Sequence, residues 1–404
     1  MERAPVNDPF ATALDLLSYC AAEHWAGHDP YDALNSRVFE ALPLLNRRLP
    51  RLVATQALKR SPLNLRWFAR IPKTQNPKAL ALFLASVLRM PGLAPLRRSA
   101  LVESMIGSLV ELRSPGAVHW CWGYSFPWQT RTVVVPRWAP NLVCTTFVAD
   151  ALVDAYERHN DRRCLDMALS AADYIVNELY WTDGSAVSSF SYPLPSHRVP
   201  IHNANLLAAA LLCRVANHVG DSRFSDVAFD VARYSAGRQQ PDGSWLYGEH
   251  PTLAWIDNFH TGYNLCALRT IAETTGTSDF DEVLERGHEF YRTHFIREDG
   301  AARYFHNHTY PIDVHCVAQT MITLRTLADL DRDNARRAHQ VFLWAMAHLW
   351  DRRGFFYYRQ LRTCTIRTSY MRWSQAWMLR AIVSLLNEPQ KAVSAALRPA
   401  TAFA

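Results

Sequence analysis

Four glycine turns recur along the chain at a nearly constant spacing. Each is an Asp-Gly or Arg-Gly pair, and aromatic residues follow it. The glycines, which are 59, 57 and 54 residues apart, are Gly184, Gly243, Gly300 and Gly354. A fixed spacing of this size is typical of repeat architectures, so the sequence predicts repeating units of about 55 to 60 residues.

Each unit has the same internal pattern of two helices. A nearly apolar helix follows the turn and its loop, as in residues 206–212, and a helix that is apolar all round is expected to be buried on all sides. After a short polar break comes an amphipathic helix, in which Ala228, Val231, Ala232 and Ser235 share one face. The pattern therefore predicts an inner ring of buried helices surrounded by an outer ring of amphipathic ones.

These patterns predict an all-α fold, an (α/α)6 toroid with short loop strands at most. The expected inner helices are 141–158, 202–218, 258–275, 314–329 and 371–387, and the outer ones are 162–180, 222–238, 279–294 and 334–350. Further helices are expected at 10–25, 31–46, 77–90 and 95–113. We expect residues 1–60 to supply the outer helix that the last repeat lacks.

The expected domain is a single toroid spanning residues 1–388. It consists of N-terminal hairpins over 1–115 and clear repeats over 116–388, and 389–404 is expected to be a loose tail.

Composition narrows the class of protein. The formal net charge of +6 is spread along the chain, which does not predict a nucleic-acid surface, although it suits an anionic substrate. The sequence contains no uninterrupted run of about 18 apolar residues, so we expect no transmembrane helix. The N-terminus lacks the pattern of a signal peptide. The eight cysteines are dispersed without a CxxC pair, as in reduced cytosolic proteins. We therefore expect a cytoplasmic protein with no cofactor and no metal.

The starts of the inner helices carry polar residues. In a ring of helical hairpins these starts line one mouth, where free N–H groups and the helix dipoles favour an anionic ligand. Asp257 and Asp313 lie at equivalent starts, and either could be a simple N-cap. Capping does not explain the other polar residues beside them. The candidate catalytic residues are Asp257, His260, Asp313, His315, Tyr370 and Arg372.

The loops before the inner helices are rich in aromatic residues. Aromatic rings with polar neighbours suit sugars, whose rings have an apolar face and polar edges. The alternative is that these rings only pack the turns. The candidate substrate-binding residues are Trp122, Tyr124, Trp128, Arg131, His202, Asn203, Trp245, Tyr247, Glu249, Tyr263, Trp373 and Gln375.

Several of these segments together resemble the VpsJ-like family of polysaccharide-biosynthesis operons. The matching segments are 122–128, 239–249, 255–263, 310–315 and 369–377, and the resemblance covers roughly residues 115–385. Members often carry the label "delta-aminolevulinic acid dehydratase", which does not fit, because that enzyme resembles a TIM barrel with a Schiff-base lysine. The same architecture resembles six-hairpin glycosidases and the catalytic domain of glucuronyl C5-epimerases. The resemblance implies a carbohydrate substrate and membership of a polysaccharide-biosynthesis complex.

Two weaker resemblances lack the residues that carry the chemistry. The run from Gln240 to Trp245 resembles a repeat motif of triterpene cyclases, but their Asp-x-Asp-Asp motif is missing. Residues 120–123 resemble lanthionine cyclases, but the Cys-His-Gly zinc motif is missing and His315-Cys316 has the reverse order.

Two sugar chemistries remain open. Glycoside hydrolysis needs two carboxyl groups, for which Asp257 and Asp313 are the best pair and Glu249 a third candidate. Epimerisation or β-elimination at C5 of a uronic acid instead needs a base such as His260, His315 or Tyr370, with Arg372 as a stabilising cation. The small number of carboxylates favours the second chemistry. The alternatives are a non-catalytic glycan-binding or scaffold subunit and a terpenoid-type cyclase.

Overall fold

The structure, a computed structural model, describes residues 8–41, 47–130, 133–184 and 186–387. Most of this part of the chain is helical. Its α-helices, in chain order, are α1 (Pro9–Ala22), α2 (Arg37–Ala41), α3 (Arg48–Arg60), α4 (Pro77–Arg89), α5 (Pro95–Glu111), α6 (Leu142–His159), α7 (Arg162–Tyr174), α8 (His202–Val219), α9 (Ser222–Ala236), α10 (Asn258–Thr275), α11 (Asp281–Phe295), α12 (Val314–Thr326), α13 (Asn334–His348) and α14 (Ala376–Leu386).

Six of these helices form a closed inner ring. The order around the ring is α4, α6, α8, α10, α12 and α14, and α14 packs back against α4. Their side chains are mostly buried, because each inner helix touches two neighbours in the ring and at least one outer helix. The fold is therefore an (α/α)6 toroid, which confirms the predicted fold class.

The outer ring consists of α5, α7, α9, α11, α13 and α1. On α9 the buried face includes Ala228, Val231, Ala232 and Ser235, the face that the spacing predicts. The helix α1 packs against α14. As expected, the N-terminal region supplies the outer partner of the last inner helix.

In the last three turns, the same structural reason explains why the residue is glycine. Gly243, Gly300 and Gly354 all have φ near +90°, a conformation that favours glycine. A Cβ atom on Gly243 would lie 2.3 Å from the Arg286 carbonyl oxygen on α11, and one on Gly300 would lie 2.7 Å from that of Gln340 on α13. These turns therefore pack directly against the outer helix of the next hairpin, which fixes the period of the repeat.

Short strands occur only in the loops of the described ranges. They are β1 (Ala26–Gly27), β2 (Thr74–Gln75), β3 (Trp128–Gln129), β4 (Val134–Val135), β5 (Tyr180–Thr182), β6 (Ser188–Phe190), β7 (Ile312–Asp313), β8 (Trp350–Asp351), β9 (Phe355–Phe356), β10 (Arg359–Gln360) and β11 (Thr365–Ile366). The largest sheet has the order β11, β10, β7 and is antiparallel. It pairs Arg359 with Asp313 at the start of α12.

The N-terminal region differs from the expectation. The predicted helix 31–46 is instead a 3₁₀ turn (Asp32–Asn35) followed by the short α2, and residues 42–46 lie outside the described residues. The helix α3 was not expected. It has basic residues and few buried ones, so its pattern gave little signal. At the last inner helix, the first predicted turn is a π-helical turn, Met371–Gln375.

The domain assignment over 1–388 stays a prediction, and the predicted tail 389–404 lies outside the described residues. Within the described ranges, no helix combines the length and the apolar character needed to cross a bilayer.

Candidate active site

The starts of the inner helices meet at one mouth, and four of them are capped by an Asn or Asp side chain. Each caps by accepting a hydrogen bond from a backbone N–H within the first turn, a common helix start. The caps are Asn76 on α4, Asn141 on α6, Asp257 on α10 and Asp313 on α12. The N-cap interpretation of both aspartates is therefore correct, but each has further partners.

Asp257 orients the imidazole of His260. Its Oδ2 lies 2.7 Å from His260 Nδ1 and accepts a hydrogen bond of 2.8 Å from Trp255 Nε1. The carboxylate is buried, whereas the His260 side chain keeps 19% of its surface exposed. Among the described residues, His260 Nε2 has no hydrogen-bond partner, so this nitrogen is available to a ligand.

His315 is enclosed by aromatic rings. It stacks between Phe259 and Trp377, with both centroids 4.6 Å from its own. Its Nε2 lies 2.6 Å from the hydroxyl of Tyr263, while its buried Nδ1 has no partner among the described residues. Burial, together with the positive charges of Lys78 and Arg372, holds the pKa of His315 well below its usual value. The imidazole is therefore neutral near pH 7.

The two histidines lie on either side of one phenylalanine ring. The centroid of Phe259 is 4.0 Å from that of His260 and 4.6 Å from that of His315. Tyr263 lies about equally far from both, at 6.1 and 5.9 Å. The fold thus brings together one carboxylate-held imidazole from α10 and one neutral imidazole from α12.

Asp313 is enclosed and fully engaged. Its Oδ2 accepts hydrogen bonds from Arg359 Nε and Nη2 at 3.1 and 2.5 Å, and its Oδ1 accepts one from Trp373 Nε1 at 2.8 Å. None of its surface is exposed. Asp313 therefore fixes the positions of Arg359 and Trp373 and has no oxygen directed at a ligand.

Arg372 and Tyr370 belong to an adjoining cluster that involves the N-terminal region. The guanidinium of Arg372 forms two hydrogen bonds with Asp29, at 2.7 and 2.8 Å, and lies 4.7 Å from the Tyr124 ring. Tyr370 packs against Tyr358 with centroids 4.9 Å apart, and burial raises the pKa of its hydroxyl. Within the described residues, neither side chain hydrogen-bonds to His260 or His315 or packs on their rings.

Among the predicted sugar-binding residues, four lie at the mouth beside the histidines or next to Arg372, and a fifth, Trp128, packs on Tyr124. Tyr247, which is partly exposed, stacks on Trp255 at 4.4 Å and lies 4.5 Å from His260. The others are Tyr124, Trp128, Tyr263 and Trp373.

Three other predicted binding residues are buried and bonded within the protein. The indole of Trp122 donates to the Leu109 carbonyl, and the indole of Trp245 donates to that of Ser235. The Gln375 side chain bonds both backbone groups of Phe356. These contacts tie loops to helices and leave no surface for a ligand.

The remaining predicted binding residues lie around α8. His202 and Asn203 are buried there, and burial lowers the pKa of His202 to about 4. Glu249, at the surface, accepts a hydrogen bond from Tyr234 and forms an ion pair with Arg238. Arg131 lies outside the described residues.

Lys78 is a residue of the mouth that the sequence analysis missed. It follows Asn76-Pro77 at the start of α4, a combination of cap and N1 proline that marks a helix start. Its Nζ lies 4.1 Å from the centroid of Phe147, and the rings of Tyr263 and Trp377 are also close.

The described residues hold no group of three His, Cys, Asp or Glu side chains arranged as metal ligands would be.

No family model and no curated protein matches the sequence. Several solved structures match the fold. A cellobiose 2-epimerase from Bacillus thermoamylovorans B4167 has a TM-score of 0.61 at 10% identity, covering 78% of this chain and 89% of that one. A glycoside hydrolase family 76 mannosidase from Bacteroides thetaiotaomicron VPI-5482 has a TM-score of 0.62 at 12% identity, covering 94% and 98%.

The chain has the fold of the six-hairpin glycosidase-like enzymes. A D-mannose isomerase shares it too, with a TM-score of 0.58 at 8% identity over 77% of this chain and 86% of that one. At these identities the likeness shows the fold alone. The closer relation to the VpsJ-like family stays a prediction.

Proposed function

We propose that the protein is a carbohydrate-active enzyme that transfers protons at carbon, as in epimerisation, isomerisation or β-elimination of a sugar. The observation that carries the proposal is the pair of histidines on either side of Phe259, one held by Asp257 and one neutral. The neutral imidazole, that of His315, is the one that can take a proton from the carbon next to a carbonyl or carboxylate group. The proton that returns to carbon, or that protonates the leaving oxygen in an elimination, then comes from His260, whose Nε2 has no protein partner among the described residues.

The carboxylates fit hydrolysis less well. A glycosidase needs two carboxyl groups that reach the scissile bond from opposite sides. Both Asp257 and Asp313 are buried, and their oxygens already accept hydrogen bonds from the protein. Polar groups from α4, α10 and α12 at the mouth also argue against a terpenoid-type cyclase, whose cavity would be apolar.

The division of labour between Asp257 and His260 follows from their hydrogen bond. A carboxylate bonded to Nδ1 fixes the orientation of the ring and leaves Nε2 without a protein partner, as in other carboxylate–histidine pairs. His315 has no such carboxylate and stays neutral, so the two rings have different environments. Two acid–base groups with different environments are what a two-sided proton transfer requires.

The names of the structural neighbours suit this chemistry. Cellobiose 2-epimerase and D-mannose isomerase are named for rearrangements of sugars. We extend the proposal to a role in polysaccharide biosynthesis in the cytoplasm, within a biosynthetic complex, on the strength of the VpsJ-like motifs.

The test is hydrogen exchange at carbon. The protein is incubated in D₂O with D-mannose, cellobiose or a glucuronate-containing oligosaccharide, and the C2 and C5 protons are followed by NMR. The expected result with one of these sugars is deuterium exchange at C2 or C5, or a new double bond. The rate of that reaction should be about 100-fold or more lower in His260→Asn and His315→Asn. His348→Asn, on the outer helix α13, is the matched control and should keep full activity. New reducing ends without exchange would contradict the proposal.

A further inference from the structure

The amine of Lys78 is buried, and the described residues provide no anion to pair with it. Only 3% of the residue is exposed, and its Nζ forms no hydrogen bond or ion pair with any described residue. Burying an unpaired charge is costly, so buried lysines normally have a carboxylate partner. This lysine lacks one, although it lies at the centre of the mouth.

Its surroundings are aromatic and come from several hairpins. The Nζ lies 4.1 Å from the ring centroid of Phe147 on α6, 5.3 Å from Trp377 on α14 and 5.6 Å from Tyr263 on α10. Tyr263 in turn contacts His315 on α12. Side chains from five of the six inner helices therefore meet at this point.

The ionisable groups around Lys78 do not neutralise it. The carboxylate of Asp29 is already paired with Arg372, whose own charge lies close enough to disfavour the charged lysine. The Cys144 thiol stays protonated, because burial raises its pKa to about 12, and His315 is neutral. Burial, followed by the charge of Arg372, places the pKa of Lys78 well below its usual value.

The aromatic ring nearest to Lys78 Nζ is partly exposed. Phe147 keeps part of its surface exposed although it lies on an inner helix. Lys78 also belongs to the first turn of α4, a helix of 13 residues whose dipole adds positive potential at this end. An oxyanion placed here would lie beside the Lys78 amine, whose charged form it would stabilise, at a helix N-terminus and against a low-dielectric aromatic wall.

We propose that Lys78, at the N-terminus of α4, binds an anionic group of the sugar substrate, a carboxylate or a phosphate, beside His315. The inference rests on the proposed sugar chemistry at the same mouth and names its substrate class. For a uronate, the carboxylate lies next to the C5 proton, so Lys78 would neutralise the negative charge that spreads onto it when a histidine removes that proton. Lys78 would then act in the role that the sequence assigns to Arg372.

The test is equilibrium binding, measured by calorimetry with D-glucuronate, D-glucose 6-phosphate and neutral D-glucose. We expect at least tenfold tighter binding of one anionic sugar than of glucose, and whichever is preferred identifies the group. Lys78→Met should abolish the preference. Lys73→Met, at a lysine whose partner is Glu23 outside this mouth, should retain it. No preference in the wild type, or a preference kept by Lys78→Met, would overturn the proposal.

Two further measurements separate the possible failures. Removing a buried amine that has no partner should leave the melting temperature of Lys78→Met unchanged or raised, whereas loss of a structural lysine would lower it. If that variant does not fold, the anion preference of the wild type at low and high salt still decides the matter, since it should weaken with salt. His260→Asn and His315→Asn should keep the preference for the anionic sugar. If the wild type binds the anionic sugar but shows no hydrogen exchange at carbon, only the proposed reaction is overturned.

Discussion

The hydroxyl of Tyr263 on α10 lies 2.6 Å from Nε2 of His315 on α12. The two residues belong to different hairpins, so this bond ties neighbouring repeats together at the mouth. It is also the only hydrogen bond recorded for the His315 ring within the described residues. The orientation of that imidazole therefore depends on one hydroxyl group and on the aromatic rings around it.

Replacing Tyr263 by Phe should loosen His315 while keeping the ring that stacks on Trp377. The lost bond leaves a second buried nitrogen unpaired, which should lower the free energy of unfolding by about 1 to 3 kcal/mol. Urea unfolding measures that loss of stability. The rate of hydrogen exchange at the sugar carbon should fall at least tenfold. Unchanged exchange in a less stable variant would show that the hydroxyl is only structural.

Asp257→Asn separates the capping role from the orienting role. Asn is as good an N-cap as Asp, so the change in stability should stay below about 1 kcal/mol. It can no longer hold His260 as a carboxylate does, so exchange should fall about 100-fold or more. Asp161→Asn, the same change at the cap of α7, is the matched control and should keep full activity.

Asp313 and Arg359 form a buried ion pair whose main effect should be on stability. Asp313→Asn leaves the guanidinium without its counter-charge and should cost about 3 to 5 kcal/mol in urea unfolding. The double variant Asp313→Asn with Arg359→Met should recover part of that loss, because no unpaired charge remains. A double variant as unstable as the sum of the two single ones would contradict this account.

Stability should fall as the pH drops below about 6.5. Burial holds the pKa of His202 at about 4 and that of His315 well below the ordinary 6.5, so between these values the unfolded chain binds protons that the folded protein excludes. Each histidine should then cost up to about 1.4 kcal/mol per pH unit. Urea midpoints between pH 7.5 and 4.5 measure the slope. His202→Gln should make it shallower, and an unchanged slope would contradict the assignment.

The toroid could be predicted because its signals repeat. The apolar stretches, the polar breaks and the turns at Gly243, Gly300 and Gly354 all recur once per hairpin, and the structure confirms the ring they imply. The region around α3 has neither the period nor a strong apolar face. Its position is set by contacts with distant parts of the chain, such as the bond from Lys59 to Tyr31, which a local pattern does not contain.

The location of the site could be predicted from the sequence, but most of the contacts between its side chains could not. Asp257, His260 and His315 lie together because they follow the starts of neighbouring inner helices. The partners of Asp313 and Arg372 could not be read from spacing, since Arg359 comes from a loop strand and Asp29 from the N-terminal region. Lys78 was missed because a lysine near a helix start is usually a solvated residue, and only the closed ring buries it.

The pairing of α1 with α14 has a consequence for how the molecule is made. Asp29 and Arg372, 343 positions apart, form an ion pair at this seam. During synthesis the middle hairpins leave the ribosome and can stack while the ring is still open. The last interface forms only after α14 has emerged, so ring closure is a late event of high contact order. The mouth is therefore assembled at the end of folding, and an incomplete chain would expose its aromatic lining.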